Sequence, residues 1–227
     1  MPTYEVTLTR DCGPYSWSFT VAEAGAPTTV SPNGSVFSVD LTDGVFIEPG
    51  GDTIGPLVAD LIGNIELLLA VTAEPTTVIP MILAGSDGSG GQDVCVATQE
   101  PTVDPLYEEP YFLVEDQGLT LPLSDGAMTL ADYELSGAFA ADLSTIQGGV
   151  FRTVIDTRHL KTAIGLGASA PDDAVCGVLG AVGLSCEECP DGSGPYCLPY
   201  WVTDIEGSNV GGSIVPISAA EAALNCP

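Results

Sequence analysis

Alternation of apolar and polar positions dominates the first forty residues. In TYEVTLT, Tyr4, Val6 and Leu8 share one face and Glu5, Thr7 and Thr9 the other. In YSWSFTV, Tyr15, Trp17, Phe19 and Val21 alternate with Ser16, Ser18 and Thr20. A period of two with aromatic and β-branched residues marks a half-buried strand, so the two runs read as a hairpin with Cys12 at or near its turn. SVFSVDL continues the pattern through Phe37, Val39 and Leu41.

The period then changes. Ile54, Leu57, Val58, Leu61, Ile62, Ile65, Leu68 and Leu69 fall on one helical stripe. Asp52 or Thr53 can cap it, and Pro56 suits a first turn. This predicts a helix packed on the sheet from Ile54 to about Asn64, while IELLLAVTA beyond it also fits a buried strand. TTVIPMILAG and LTLPL read as strands. The long run MTLADYELSGAFAADLSTIQGGVFRTVIDTR reads as a meander turning near Ala141–Asp142 and Gly148–Gly149. SAPDDAVCGVLGAVG carries Ser169 as a cap, Pro171 for a first turn, and Asp172 and Asp173 at the positive end of the dipole, which predicts a second helix. YCLPYWVTDIEG and GGSIVPI read as further strands. Ser218 with Glu221 forms a capping box for a short last helix.

Together these elements predict an α+β fold, mainly β: a curved antiparallel sheet with two or three helices packed against it. The expectation is a single domain, residues 1–227. The proline-rich stretch 99–111 is the one place where a boundary could fall.

Charge narrows the partners. The chain has 227 residues, with 31 acidic against 4 basic side chains and a net charge of −27. Without a dense basic patch such a field excludes nucleic acid and disfavours anionic membranes. A saline or extracellular setting suits it. No apolar run is long enough to span a bilayer, since the stretch from Ile54 to Ala73 contains Asp60, Asn64 and Glu66. Met1-Pro2-Thr3 leads straight into strand-like sequence, and the expectation is a mature exported chain without its signal peptide.

Seven cysteines sharpen that expectation. Cys176, Cys186, Cys189 and Cys197 lie close together, the last three in CEECPDGSGPYC. A zinc knuckle would want a second C-x-x-C or a histidine, and neither is there. A redox pair would want a stabilised thiolate, whereas Glu187 and Glu188 raise the neighbouring thiol pKa. Disulfide staples remain. With those four paired among themselves, Cys12, Cys95 and Cys226 are left, an odd number that implies one free or intermolecular thiol. Such a thiol, or a strand edge, offers a route to self-association.

Catalytic constellations are hard to assemble. His159 is the only histidine, so any Ser-His-Asp or Cys-His scheme must use it, and no Gly-x-Ser-x-Gly elbow exists. Arg152, Arg158 and Lys161, three of the four cations, could form an anion site, but internal pairing with carboxylates is the expectation. Asp87, Ser89 and Asp93 in DGSGGQD resemble part of a calcium loop. Gln92 and Thr98 stand where such a loop requires Gly and a bidentate Glu. Calcium is thus the one cofactor to consider, and otherwise none is expected. Tyr15, Trp17 and Phe19 could form a sugar or apolar platform, although a row of this kind more often faces a core.

The reading that follows is a non-enzymatic secreted or cell-envelope protein acting by binding, with an apolar ligand held between sheet and helix. One alternative is a structural or adhesive subunit of an extracellular assembly. The other is a hydrolase of a type the motifs do not reveal.

Overall fold

The computed structural model describes residues 3–10, 13–20, 25–50, 55–56, 65–123, 126–162 and 164–225. The fold is mainly β, a strongly curled antiparallel half-barrel with two short helices among the described residues.

The N-terminal hairpin forms as its alternation predicts. β1 (Thr3–Arg10) pairs antiparallel with β2 (Gly13–Thr20), with Tyr4 opposite Phe19, Val6 opposite Trp17 and Leu8 opposite Tyr15. It makes a two-stranded sheet of its own. Cys12 and the side-chain surroundings of the Tyr15, Trp17 and Phe19 row lie outside the described residues.

The main sheet has ten strands among the described residues. Along its path run β6 (Met81–Gly85), β5 (Glu66–Val71), β3 (Val36–Asp40), β12 (Cys197–Asn209), β11 (Thr145–Asp156), β10 (Gly126–Phe139), β8 (Tyr111–Asp116) and β7 (Leu106–Glu108). β4 (Val45–Glu48) pairs with β12, and β9 (Leu119–Leu123) with β10. The sheet curls until its ends meet. An isolated bridge joins Val78, just before β6, to Leu106 in β7, with Tyr107 N–H donating to Thr77 O (2.9 Å) and Ile79 N–H to Pro105 O (2.9 Å). A second bridge, Leu83 to Gln99, covers the edge of β6. The proline-rich stretch 99–111 therefore carries sheet hydrogen bonds rather than running free over the surface.

Aromatic side chains fill the concave interior. The Phe139 ring centroid lies 5.1 Å from Phe37 and 5.1 Å from Phe112, and Tyr200 packs edge-on to Phe46 and Phe151. The Tyr200 hydroxyl donates to Leu41 O (2.8 Å), so its polar end is satisfied inside the core.

Several elements differ from the sequence expectation. Of the two readings offered beyond Asn64, the buried strand is the one that forms: Leu68 and Leu69 lie in Glu66–Val71, strand β5, and do not continue the helical stripe. Leu67, Leu69 and Val71 face the main core, while Leu68 and Ala70 join Val36 and Ala84 in a second apolar cluster on the other face. A strand buried on both faces reads as a continuous apolar run, which helical periodicity matches by accident. Gly55 and Pro56 are helical, and the rest of the expected helix, including Ile54 and Leu57 to Asn64, lies outside the described residues. Gly148–Gly149 is not a turn but a bulge within β11. Gly148 has φ +58°, and a Cβ on Gly149 would sit 2.8 Å from Ile205 O, so two glycines let the strand bend against β12. GGSIVPI is not a strand either. It crosses the second cluster as irregular chain, with Ile214 packed on it and Val215 held by Gln92 in paired hydrogen bonds of 2.8 Å.

The helices are short. α1 spans Ala174–Ala181 and buries Val175 and Leu179 against the core. α2 spans Ala219–Asn225. Its capping box forms as expected: Ser218 N–H and Oγ both donate to Glu221 Oε2, and Glu221 N–H returns to Ser218 Oγ (3.3 Å).

Candidate functional site

The four clustered cysteines pair among themselves. Cys176 bonds Cys186, and Cys189 bonds Cys197. The bridges fasten α1 and the following loop to the start of β12, where Glu187 and Cys197 also form a bridge of backbone hydrogen bonds. Cys95 is disulfide-bonded as well, and Cys226 lies outside the described residues.

The cations are spread over separate ion pairs. Arg152 lies 4.0 Å from Glu134 and stacks its guanidinium 4.7 Å from the Trp201 ring centroid. Lys161 Nζ meets Asp172 Oδ1 at 2.5 Å. Arg158 grips Asp156 through both Nε and Nη2, reaches Ser193 Oγ (2.9 Å), and lies over Tyr196. Burial pushes the Asp156 carboxyl up, but hydrogen bonds from the Arg158 side chain and backbone, with the charges of Arg158 and His159, outweigh it and hold the carboxyl below its ordinary range. His159 Nε2 is 3.6 Å from the same carboxylate, so the lone histidine joins an ion pair already dominated by arginine.

The Asp87 loop is knitted to its own backbone. Asp87 Oδ1 accepts from Ser89 N–H (2.8 Å), Ser89 Oγ (2.8 Å) and Gly91 N–H (3.0 Å), and Asp93 Oδ1 accepts from Cys95 N–H (2.8 Å). No group of three or more ligating side chains positioned for a metal is found among the described residues.

Two surface hollows bring polar groups together. One, of about 290 Å³, lies between residues 28–32, Glu74, Pro75, Tyr107 and Glu109. Its carboxylates serve the scaffold: Thr28 N–H and Oγ1 donate to Glu109 Oε1, and Ser31 Oγ to Glu74 Oε2.

The second hollow, of about 280 Å³, lies where β8 and β10 meet and is lined by Val103, Glu115, Asp116, Gln117, Asp132, Tyr133 and Glu134. A bulge makes it. β10 pairs Ala131 with Val154 and then Glu134 with Arg152, so Asp132 and Tyr133 together oppose Thr153 alone. Asp132 takes φ +46°, a left-handed conformation that Asp tolerates better than most residues. Thr153 Oγ1 donates to Ala131 O (3.0 Å) and steadies the irregularity. Asp116 ties the neighbouring strap down, accepting from Thr102 N–H, from Thr102 Oγ1 (2.5 Å) and from Gln117 N–H (2.6 Å). Burial raises its carboxyl, but these hydrogen bonds prevail and keep it ionised.

Tyr133 is the exceptional residue. It is only 3% exposed, and burial, with the charge of Asp116 beside it, pushes the phenol well above its ordinary value. The buried hydroxyls of Thr153, Thr157 and Tyr200 each donate to a backbone carbonyl. The buried side-chain polar atom without a partner among the described residues is the Trp201 indole nitrogen, and Tyr133, which also borders the hollow, belongs to the main core with Val114, Leu130 and Leu135.

None of these residues stands out from spacing by motif. The bulge did leave a trace, because the buried positions Met128, Leu130, Tyr133 and Leu135 slip phase by one between Leu130 and Tyr133. A strand that misses a beat and places Asp at the slip is the signal a closer reading of alternation would use.

No helix among the described residues is long and apolar enough to cross a membrane. No family model, curated protein or solved structure matches this chain.

Proposed function

We propose that this chain, taken as one domain, is a non-enzymatic secreted or cell-envelope protein that acts by binding, and that the hollow at the β8–β10 bulge is its contact site. The observation that carries the reading is the hollow itself, an opening of about 280 Å³ made by the bulge and lined by Glu115, Asp116, Gln117, Asp132 and Glu134. The two disulfides are compatible with an oxidising compartment. Val175 and Leu179 of α1 pack into the core, and the other helix that could cover an apolar ligand, from Ile54 to about Asn64, lies almost wholly outside the described residues; we assign binding to the hollow.

The test is native mass spectrometry of protein purified from its own source, joined to cell fractionation with thiol alkylation. A retained small molecule or partner, on a chain from an extracellular or envelope fraction, is the expected result. Bare chain alone refutes binding, and reduced cysteines in a cytosolic fraction refute the compartment.

A structural subunit is the second reading. β9 pairs only with β10 among the described strands, and Val45 and Ile47 stand exposed on β4. Reversible higher-order species on sedimentation, abolished by charged substitutions at Val45 and Ile47, would favour it.

A further inference from the structure

Cys95 is disulfide-bonded, and four of the other six cysteines are used by one another as Cys176–Cys186 and Cys189–Cys197. Within the chain, Cys95 is therefore joined to Cys12 or to Cys226. The two choices have different surroundings. Cys12 falls between Arg10 and Gly13, which face each other at the end of the β1–β2 hairpin, and no ladder joins that hairpin to another strand among the described residues. Cys226 follows Asn225, whose Nδ2 donates to Val94 O (3.0 Å), the carbonyl of the residue before Cys95. A disulfide needs Cα atoms within about 7 Å, and the Asn225–Val94 contact holds the two segments one side chain apart.

That contact is the last of a series. Beyond β12 the chain crosses the second apolar cluster, with Ile214 packed on Val36, Leu68, Ala70 and Ala84. It is tied to segment 92–98 as it goes. Gln92 and Val215 exchange two hydrogen bonds, Thr98 N–H donates to Ile217 O (2.9 Å), and Ile217 N–H donates to Thr98 Oγ1 (2.9 Å). α2 then leads back to Val94. A strap held by so few contacts opens locally unless something further restrains its end.

We propose that Cys95 is bonded to Cys226, a third bridge that latches the C-terminal strap over the second apolar face. Its formation takes two protons and two electrons from the two thiols. Exchange with a disulfide oxidant accepts both, leaving that oxidant as two thiols. Cys12, at the hairpin's turn, is then the cysteine outside the three pairs.

The few cations make the test simple. The chain's lysines and arginines are Arg10, Arg152, Arg158 and Lys161, so trypsin leaves Cys12 and Cys95 together in fragment 11–152 and Cys226 in fragment 162–227. The full chain would be denatured without reductant, alkylated with N-ethylmaleimide and digested. The expected product is one disulfide-linked mass of the two fragments, with tandem mass spectrometry placing the bond at Cys95 and Cys226. Separate fragments overturn the proposal, as does a bond at Cys12. Hydrogen exchange tests the latch. In the unaltered chain the amides of Val210, Val215 and Ile217 should exchange at least about a hundredfold slower than unstructured peptide, and in Cys95→Ser/Cys226→Ser at least about tenfold faster than in the unaltered chain, with Val202 in β12 unchanged. Strap amides that the substitution leaves unaffected overturn the latch. So do strap amides already as fast as unstructured peptide in the unaltered chain, a measurement that stands whether or not the variant folds.

Discussion

Removing the two described disulfides in turn tests how the 176–197 segment is held. The bridges span sequence separations of 10 and 8, and they follow one another along the chain without nesting or interlocking. Their loops therefore constrain separate parts of the unfolded chain, and their effects should add. On the chain-entropy relation, closing loops of this size stabilises by about 2.5–3 kcal/mol each. The sum, about 5 kcal/mol, rivals the whole stability of a marginal domain. The Cys176→Ala/Cys186→Ala and Cys189→Ala/Cys197→Ala pairs should each lower the free energy of urea unfolding by about that single-loop amount, and the quadruple variant by about twice it. Burial adds an order of events. Cys189 and Cys197 are buried, while Cys176 and Cys186 are partly exposed. Mild reductant followed by alkylation and peptide mass spectrometry should label Cys176 and Cys186 first. A loss below about 0.5 kcal/mol for either pair would refute the entropic reasoning, because surface changes alone produce that much. Labelling of Cys189 and Cys197 first would refute the role of burial.

Other predictions are brief. Leu69→Ala should cost about 2–5 kcal/mol by leaving a cavity beneath β5, whereas Val178→Ser on the exposed face of α1 should stay within about 0.5 kcal/mol, both by chemical denaturation. Asp156 titrates below its unfolded value, so the stability it contributes is present above about pH 4 and is lost as pH falls through its lower folded pKa. Arg158→Ala should cost about 1–3 kcal/mol near pH 7, and its deficit should shrink on acidification; a deficit constant with pH would contradict the pairing. With net charge −27, sodium chloride should raise Tm by screening. Calcium at matched ionic strength should add nothing from the Asp87 loop, whose carboxylates are committed to backbone N–H groups, and an excess gain lost in Asp87→Asn would contradict that.

What could be read in the sequence followed burial on one face. Val36–Asp40 was legible because its alternate positions Phe37 and Val39 meet the aromatic core, and the Ser218–Glu221 box sets where α2 begins because its partners are three residues apart. Reading left two alternatives, helix stripe or buried strand, where two faces were buried, and the strand is what forms. Glu66–Val71 lost its alternation to the second cluster, and local periodicity cannot see a layer supplied by residue 214. The candidate hollow was hidden for a different reason. Thr102, Asp116 and Tyr133 are brought together by a bulge and a strap, and no local spacing encodes that meeting. The cysteine pairing was the middle case: chemistry excluded zinc and redox roles, but only the fold chose Cys176–Cys186 and Cys189–Cys197.

The place of β12 has a consequence for how the chain is made. It is the last strand in sequence, yet it lies in the middle of the sheet between β3 and β11, with Val39 paired to Gly207 across most of the chain's length. Until it emerges from the ribosome, β3-β5-β6 and β11-β10-β8-β7 form two half-sheets that meet at the Val78–Leu106 bridge, with a gap where the keystone belongs. Such long-range closure is slow, and an open sheet exposes unpaired strand edges while it waits. Mutual repulsion among nascent chains rich in carboxylates would keep those edges apart during that interval. The acidity of the chain would then also protect its assembly.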